Sequence, residues 1–218
     1  MTLIEGLVAI LIASAVTVMI TPPMFLSVAT RLQNQRAEQA TQLAHGQIDQ
    51  IRVLMEQGIS AGAEGNLEQL PADAGTGSLR DVAAPSGVFG LLQSTNSNCS
   101  DYDEAKAPQV SVNEALPVDI NGDCEEDFYL QSFRINQELS TVDPESENEP
   151  VPIVFGMGVR VYYRNADIGG ELSTQPASLQ LTSGEGQQTQ YPLAVIYTSL
   201  AQGDLDSSLD KYRSYLGE

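Results

Sequence analysis

The residues best suited to chemistry lie in one short acidic segment near the middle of the chain. Oxygen-bearing side chains recur there at every second position: Asp119, Asn121, Asp123, Glu125 and Asp127. Alternating short acids around a central glycine are how calcium loops present several oxygens to one hard cation. The segment departs from the EF-hand pattern, because Gly122 is its fourth residue instead of its sixth and Leu130 takes the twelfth position. The sequence predicts either a calcium site or a solvated acidic turn.

No pattern in the chain indicates an enzyme. The sequence has no phosphate-binding glycine loop, no nucleophile elbow and no zinc-protease motif. Its one histidine, His45, has no nucleophile motif beside it, and two cysteines with one histidine cannot supply the usual four zinc ligands. We therefore expect a protein that catalyses no reaction and requires no cofactor, with calcium as the one candidate ligand.

A second notable residue is Glu5, the only charged side chain before Arg31. The uncharged run from Gly6 to Thr30 would form a helix of about 37 Å, enough to cross a bilayer core of about 30 Å. A carboxylate near hydrocarbon is costly unless it is paired. If Met1 is the first residue, its free amine is the only cation nearby, and the two groups could be buried together.

Three interpretations compete for this N-terminal stretch. A secretory signal peptide needs basic residues before its apolar core, but none precedes Arg31, and Thr21-Pro22-Pro23 is a poor cleavage site. An ordinary single-pass anchor fits the length but leaves Glu5 unexplained. The third interpretation, a helix that assembles with other copies, gives Glu5 a partner in an amine.

The helical pattern continues beyond the apolar run. Apolar positions mostly three and four apart extend to Met55, and Gly58 is a plausible end. We expect residues 1–25 to form a transmembrane or filament-core helix and residues 26–58 its amphipathic continuation. Pro22 and Pro23 predict a local break, because a proline inside a helix costs about 3 kcal/mol. The break is either a simple kink or a segment that unwinds when the helix leaves lipid.

The remaining residues, 59–218, are expected to form one globular head. Alternation from Ile153 to Tyr163 predicts a strand with one buried face. Three more strands are predicted at residues 128–135, 177–182 and 193–200, and residues 205–216 read as a closing helix or an extended edge. The predicted fold class is α+β, with the long helix packed on an antiparallel sheet of about four strands.

The N-terminal motif carries a family resemblance. Met1-Thr2-Leu3-Ile4-Glu5, followed by an uncharged helix with Pro22, resembles the mature N-terminus of type IV pilins and pseudopilins. The chain departs from the family pattern at Met1, where Phe is usual, and at Ser14, where major pilins often have Gly. Met1 followed by residues 2–9 is closer to minor pilins and secretion pseudopilins. Residues 29–40 and 51–58 resemble hormogonium polysaccharide-secretion pseudopilins of cyanobacteria. The predicted α+β plan agrees with the pilin-like fold that this resemblance implies.

The resemblance implies a structural role. A prepilin peptidase would cut before Met1 and methylate the new amine, and Glu5 would recognise the amine of a neighbouring subunit. The subunit would wait in the inner membrane, meet an assembly platform there, and join a periplasmic or extracellular filament that serves polysaccharide secretion or motility. The alternative is a pilus-borne adhesin or ligand-binding minor pilin.

The net charge limits which partners the chain can bind, and the cysteine content indicates a disulfide. The formal net charge of −19 repels nucleic acid, whose phosphates need Lys and Arg, and also anionic lipid headgroups. Cys99 and Cys124 bracket an acidic loop over residues 99–127. The export that the N-terminus implies places them in an oxidising compartment, which favours a disulfide over free thiols.

Overall fold

A long helix opens the structure. The computed structural model describes residues 3–59, 66–99, 109–140, 150–178, 187–202 and 208–217, except for the side chains of residues 18–27, 29 and 208–210. Helix α1 covers Leu3–Gln57, which is 55 residues. It ends at Gly58, whose φ of 90° lies in the left-handed region that glycine adopts without strain.

The helix runs through Pro22 and Pro23 without interruption, so the predicted break is not found. A proline removes one backbone donor and crowds the preceding turn, but the hydrogen bonds of the turns on either side are unaffected. In a helix of 55 residues those flanking turns keep the helical register across the two prolines. The lost hydrogen bonds and the crowding at the two prolines therefore do not end the helix.

A sheet and a second helix follow α1. In chain order the strands are β1 (Ala72–Asp73), β2 (Gly87–Val88), β3 (Gln93–Ser94), β4 (Glu114–Asp119), β5 (Phe128–Leu139), β6 (Pro152–Tyr163) and β7 (Ala194–Ala201). A short 3₁₀ turn, Leu67–Gln69, precedes β1, and helix α2, Ser208–Leu216, closes the described chain. The main path of the sheet is β2-β4-β5-β6-β7, while β1 pairs with β5 and β3 with β4.

The predicted fold class, a pilin-like helix on an antiparallel sheet of about four strands, is wrong. The sheet has seven strands and is mixed, because β1 pairs in parallel with β5, and β2 and β3 pair in parallel with β4. These three parallel strands have two residues each, which is too short to show a period in the sequence. They form because main-chain groups that approach a sheet need hydrogen-bond partners.

The other differences are local. Strand β4 lies inside the segment that the sequence suggested was a loop between the two cysteines. The strand predicted at residues 177–182 falls mostly outside the described residues. The closing segment is a helix, α2, which packs on β5 and β6.

The main core lies between α1 and the sheet. From the second half of α1 it takes Ala40, Ala44, Ile48, Ile51 and Met55. Alternate side chains of β6, namely Phe155, Met157, Val159 and Val161, meet them, and all are fully buried. Burial of large apolar side chains of this kind stabilises a fold by about 1.5–3 kcal/mol each. This packing fixes the second half of α1 to the head.

The opposite face of β6 is buried too, so the prediction of one buried face is wrong. A Cβ added at Gly156 would lie 2.9 Å from the hydroxyl of Tyr215 in α2, and one at Gly158 would lie 2.4 Å from the ring of Phe133. Gly158 needs glycine because a side chain there would collide with the buried ring of Phe133. At Gly156 the nearest atom is the hydroxyl at the end of the Tyr215 side chain, so that position is tightly packed but less restricted. The second layer, which includes α2, excludes water from this face.

Arg160 is the largest side chain on that second face and is fully buried. Its guanidinium donates to the carbonyl oxygens of Leu79 and Ala83, both at 3.1 Å, and to Gln131 Oε1 at 3.2 Å. It also donates to the hydroxyl of Tyr197, at 3.2 and 3.3 Å. A buried charge needs its hydrogen bonds satisfied, and these four acceptors tie the segment before β2 to three strands.

Candidate functional site

The first half of α1 projects from the head as an apolar rod. Every side chain from Leu3 to Thr17 is exposed. The large apolar ones include Leu3 at 89% exposed, with Ile4 and Ile10 each at 72%. Within the part of α1 whose side chains are described, no stretch is long and apolar enough to cross a membrane. Exposed apolar surface of this kind is typical of regions that contact lipid or other proteins.

Glu5 lies in the first turn of α1 and is exposed. A carboxylate in the first turn interacts favourably with the N-terminal end of the helix dipole. Met1 and Thr2 lie outside the described residues, and so does the predicted pairing of Glu5 with the Met1 amine. Pro22 and Pro23 belong to α1, but their side chains also lie outside the described part.

The rod joins the head at Arg36. The Arg36 guanidinium lies 4.4 Å from the ring centroid of Tyr163 at the end of β6, and it donates to Gln188 Oε1 at 3.4 Å. Ala37, one residue later, is the first buried position among the α1 side chains that the structure describes. Nothing in the sequence pattern pointed to Arg36, because both of its partners are more than 100 residues away. The cation–π contact anchors the helix where it leaves the sheet.

The acidic segment of residues 119–127 is organised around Asp119, which is fully buried. Asp119 Oδ1 accepts the N–H groups of Asn121 at 3.1 Å and Gly122 at 2.7 Å. Oδ2 accepts the hydroxyl of Ser94 at 2.7 Å and the N–H of Cys124 at 2.9 Å. The four donors use the lone pairs of one carboxylate, so Asp119 holds the turn and joins it to β3.

The electrostatics of Asp119 follow from this geometry. Burial alone would raise the pKa of the Asp119 carboxyl. The hydrogen bonds from Ser94 and from the three backbone N–H groups outweigh burial and hold that pKa below its usual value. The folded loop therefore prefers the ionised carboxylate.

The other predicted calcium ligands either accept backbone N–H groups of the turn, as Asp119 does, or have exposed side chains. Asn121 Oδ1 accepts the N–H of Asp123, and Asp123 Oδ1 accepts the N–H of Glu125, both at 2.9 Å. Asp127 Oδ2 accepts the N–H of Ile120 at 3.0 Å. The side chains at positions 121, 123 and 125 are exposed. The side chains of Asn121, Asp123 and Asp127 therefore each stabilise the backbone of this turn.

This arrangement does not suit a calcium ion. Calcium needs six to eight oxygens converging on one point, whereas the oxygens here diverge toward separate N–H groups. In the described ranges no group of three or more acidic, histidine or cysteine side chains is placed to hold a metal. Calcium binding by Asp119, Asn121, Asp123, Glu125 and Asp127 stays a prediction, and the geometry favours the acidic turn instead.

The predicted disulfide is present. Cys99 and Cys124 are bonded, with their Cα atoms 5.1 Å apart. Beside the bond, Asn96 Nδ2 donates to the carbonyl oxygen of Gly122 at 3.1 Å. The disulfide and this hydrogen bond attach the turn to the segment that follows β3, so the turn is fixed on both sides.

A cavity of about 770 Å³ opens near β1. Its lining includes Asp73, Gln109 and Ser111 among small apolar residues. Both carboxylate oxygens of Asp73 accept hydrogen bonds, one from the N–H of Gly75 and one from Gln137 Nε2. Among the lining residues that the structure describes there is no histidine or cysteine.

Comparison with known proteins adds no relative: no family model, curated protein or solved structure matches this chain. The functional argument therefore rests on the residues and their geometry.

Proposed function

We propose that this chain is a structural subunit of a helical filament, a minor pilin or pseudopilin, in a type IV pilus-like or type II secretion-like machine. The observation that carries the proposal is the contrast between the two halves of α1. From Ala37 onward one side of the helix is buried against the sheet, whereas every side chain from Leu3 to Thr17 is exposed and most are apolar. A helix that is apolar on all sides needs lipid or other helices around it.

The distribution of charge supports the same role. Residues 1–57 carry four acids and three bases, whereas residues 58–218 carry 25 acids and seven bases. Nearly neutral helices can pack beside one another without electrostatic cost. Strongly acidic heads repel each other and are best placed on the outside of a filament, where salt screens them.

The partners follow from this role. Before assembly, lipid of the inner membrane covers the apolar rod, and in the filament neighbouring copies cover it, either in the periplasm or outside the cell. A prepilin peptidase and an inner-membrane assembly platform act on the subunit, as the N-terminal motif from Met1 to Glu5 suggests. The acidic head disfavours nucleic acid as a partner. The proposed role is assembly of a filament that serves polysaccharide secretion or motility. Residues 29–40 and 51–58, which resemble pseudopilins of polysaccharide secretion, support this role.

The test is the variant Glu5→Ala, with Glu38→Ala as the matched control. Glu38 is exposed on the second half of α1, and no partner for it is found among the described residues. We expect Glu5→Ala to keep the Cys99–Cys124 bond and the wild-type melting temperature of the head, because Glu5 is remote from the core. The Glu5 variant should be absent from sheared filaments, whereas Glu38→Ala should be incorporated.

Two outcomes would contradict the proposal. One is incorporation of the Glu5→Ala variant into filaments at the wild-type level. The other is native protein whose first residue, measured by mass spectrometry, is not Met1 with a methylated amine.

A further inference from the structure

Strand β7 forms one end of the sheet. It is the last strand on the path β2-β4-β5-β6-β7, and its only strand partner in the described chain is β6. Six of its eight residues are exposed or half-buried, among them the exposed Ser199 and Ala201. Within the described residues, the long side of β7 away from β6 is therefore a sheet edge.

The register identifies which backbone groups point away from β6. Directly opposite residues of an antiparallel pair alternate between those that exchange hydrogen bonds and those that do not. The N–H of Gln202 donates to the carbonyl oxygen of Ile153 at 2.8 Å, which continues the pairing of Ala201 with Val154. Even-numbered residues of β7 thus bond to β6, and odd-numbered ones face outward. The outward set is Val195, Tyr197, Ser199 and Ala201.

These outward N–H groups have no backbone partner among the residues that the structure describes. Proteins normally protect such an edge with a lysine, a proline, a bulge or a very short strand. Strand β7 has the sequence AVIYTSLA, with no charge and no proline, and its pairing with β6 is regular over all eight residues. Its valine, isoleucine, tyrosine and threonine favour the extended conformation that another strand would pair with.

The charge of the molecule decides which strand would pair there. A second copy would bring a second net charge of −19 to the edge. Like charges brought together at an interface oppose association, whereas opposite charges speed it and favour it. The complementary occupant is an extended segment with a positive charge.

We propose that the outer edge of β7 is a docking site for an extended, cationic polypeptide segment, which adds to the sheet as a further strand. Backbone hydrogen bonds to the odd-numbered residues of β7 would give affinity, and the acidic head would select for positive charge. This inference concerns the head alone and does not depend on filament assembly through α1.

The experiment uses the full chain in mild nonionic detergent and synthetic peptides of alternating threonine and valine. One peptide has lysine at both ends, a second has glutamate there, and a third has lysine ends but N-methylated alternate amides. We expect the first peptide to bind at least about tenfold more tightly than the second at low salt. The third should not bind, because it cannot form the backbone ladder. Hydrogen exchange at the amides of Tyr197 and Ser199 should slow by about tenfold or more when the first peptide is bound.

The variant Ser199→Pro removes one outward N–H and keeps every charge. Proline is tolerated on a strand whose N–H faces solvent, so the melting temperature should change little. Binding of the lysine-ended peptide should fall by about tenfold. The matched variant Thr198→Pro removes an N–H that faces Met157 in β6 and should lower the melting temperature clearly.

Several results would overturn the proposal. Equal binding by wild type and a folded Ser199→Pro variant would assign the peptide to the acidic surface in general. Binding of the N-methylated peptide would exclude strand addition. A dimer of the free protein that Ser199→Pro converts to a monomer would assign the edge to a second copy of this chain instead.

Discussion

Replacing Asp119 with asparagine should loosen the acidic turn while leaving its shape almost unchanged. Asp119 accepts four hydrogen bonds, two on each carboxylate oxygen, and is fully buried. In the Asp119→Asn variant one of the two oxygens becomes an NH₂ group, which cannot accept. Two donors then lose their acceptor, from either the pair Asn121 and Gly122 or the pair Ser94 and Cys124.

The expected loss of stability can be worked from these contacts. A hydrogen bond to a charged acceptor contributes about 1.5–3 kcal/mol net. Two such bonds would give up to about 6 kcal/mol, but the turn is at the surface and water can reach donors that are released. We therefore expect the free energy of unfolding to fall by about 3 kcal/mol at pH 7.

The pH dependence of the stability difference between wild type and Asp119→Asn shows whether the ionised carboxylate causes it. Because the pKa of the folded Asp119 carboxyl is lowered, its contribution is present above the unfolded pKa of about 3.9 and is lost as pH falls through the folded value. Urea unfolding of the full chain in detergent, followed by tyrosine circular dichroism, should separate wild type and Asp119→Asn clearly at pH 7. The two curves should converge toward the lowest pH at which the protein still folds.

The control is Asp123→Asn, because Asp123 is exposed and accepts a single backbone hydrogen bond. That variant should unfold close to wild type at every pH. A constant difference between wild type and Asp119→Asn from pH 7 down to pH 3 would refute the reasoning. So would equal effects of the two substitutions at pH 7.

Two further predictions concern the sheet and the metal. Gly158→Ala should lower the free energy of unfolding by about 3 kcal/mol, because the buried ring of Phe133 must move. Gly156→Ala should lower the free energy of unfolding by about 1 kcal/mol, since the hydroxyl of Tyr215 lies at the end of a side chain that can rotate. Thermal melting of both variants tests whether Gly158→Ala is the more destabilising. The reverse order would be inconsistent with this packing. If the oxygens of Asp119 are fully used by the turn, millimolar calcium should raise the melting temperature no more than sodium at matched ionic strength, and a gain specific to calcium would restore the metal hypothesis.

The sequence was informative wherever a period ran over many residues. The helical spacing up to Met55 and the glycine at position 58 predicted the extent of α1, and the alternation from Ile153 to Tyr163 predicted β6. Both signals are local and repeat several times, so single exceptions such as Pro22 do not hide them. The pairing of Cys99 with Cys124 also followed, because no other cysteine exists.

The rest depends on contacts between distant residues. The parallel strand β1 has two residues and exists only because Ala72 and Asp73 lie beside Phe133 and Arg134. Alternation could not distinguish one buried face of β6 from two, since Gly156 and Gly158 read equally well as surface positions. The hydrogen bond from Ser94 to Asp119 was missed for the same reason, because Ser94 lies 25 residues before Asp119 and no motif relates them.

The hydrogen bonds of Arg160 should make folding of the head cooperative. Its acceptors lie 81, 77, 37 and 29 residues away along the chain, so they come together only when β5, β6, β7 and the segment at residues 79–83 are all in place. Consider a partly folded state in which β6 is buried but β5, β7 or the segment at residues 79–83 is not yet in place. The Arg160 guanidinium would then be buried in a low-dielectric core with some of its hydrogen-bond acceptors missing. Such intermediates are penalised more heavily than they would be with an apolar residue at position 160. Folding of the head should therefore be slow to begin, since these contacts are non-local, and nearly all-or-none once it proceeds.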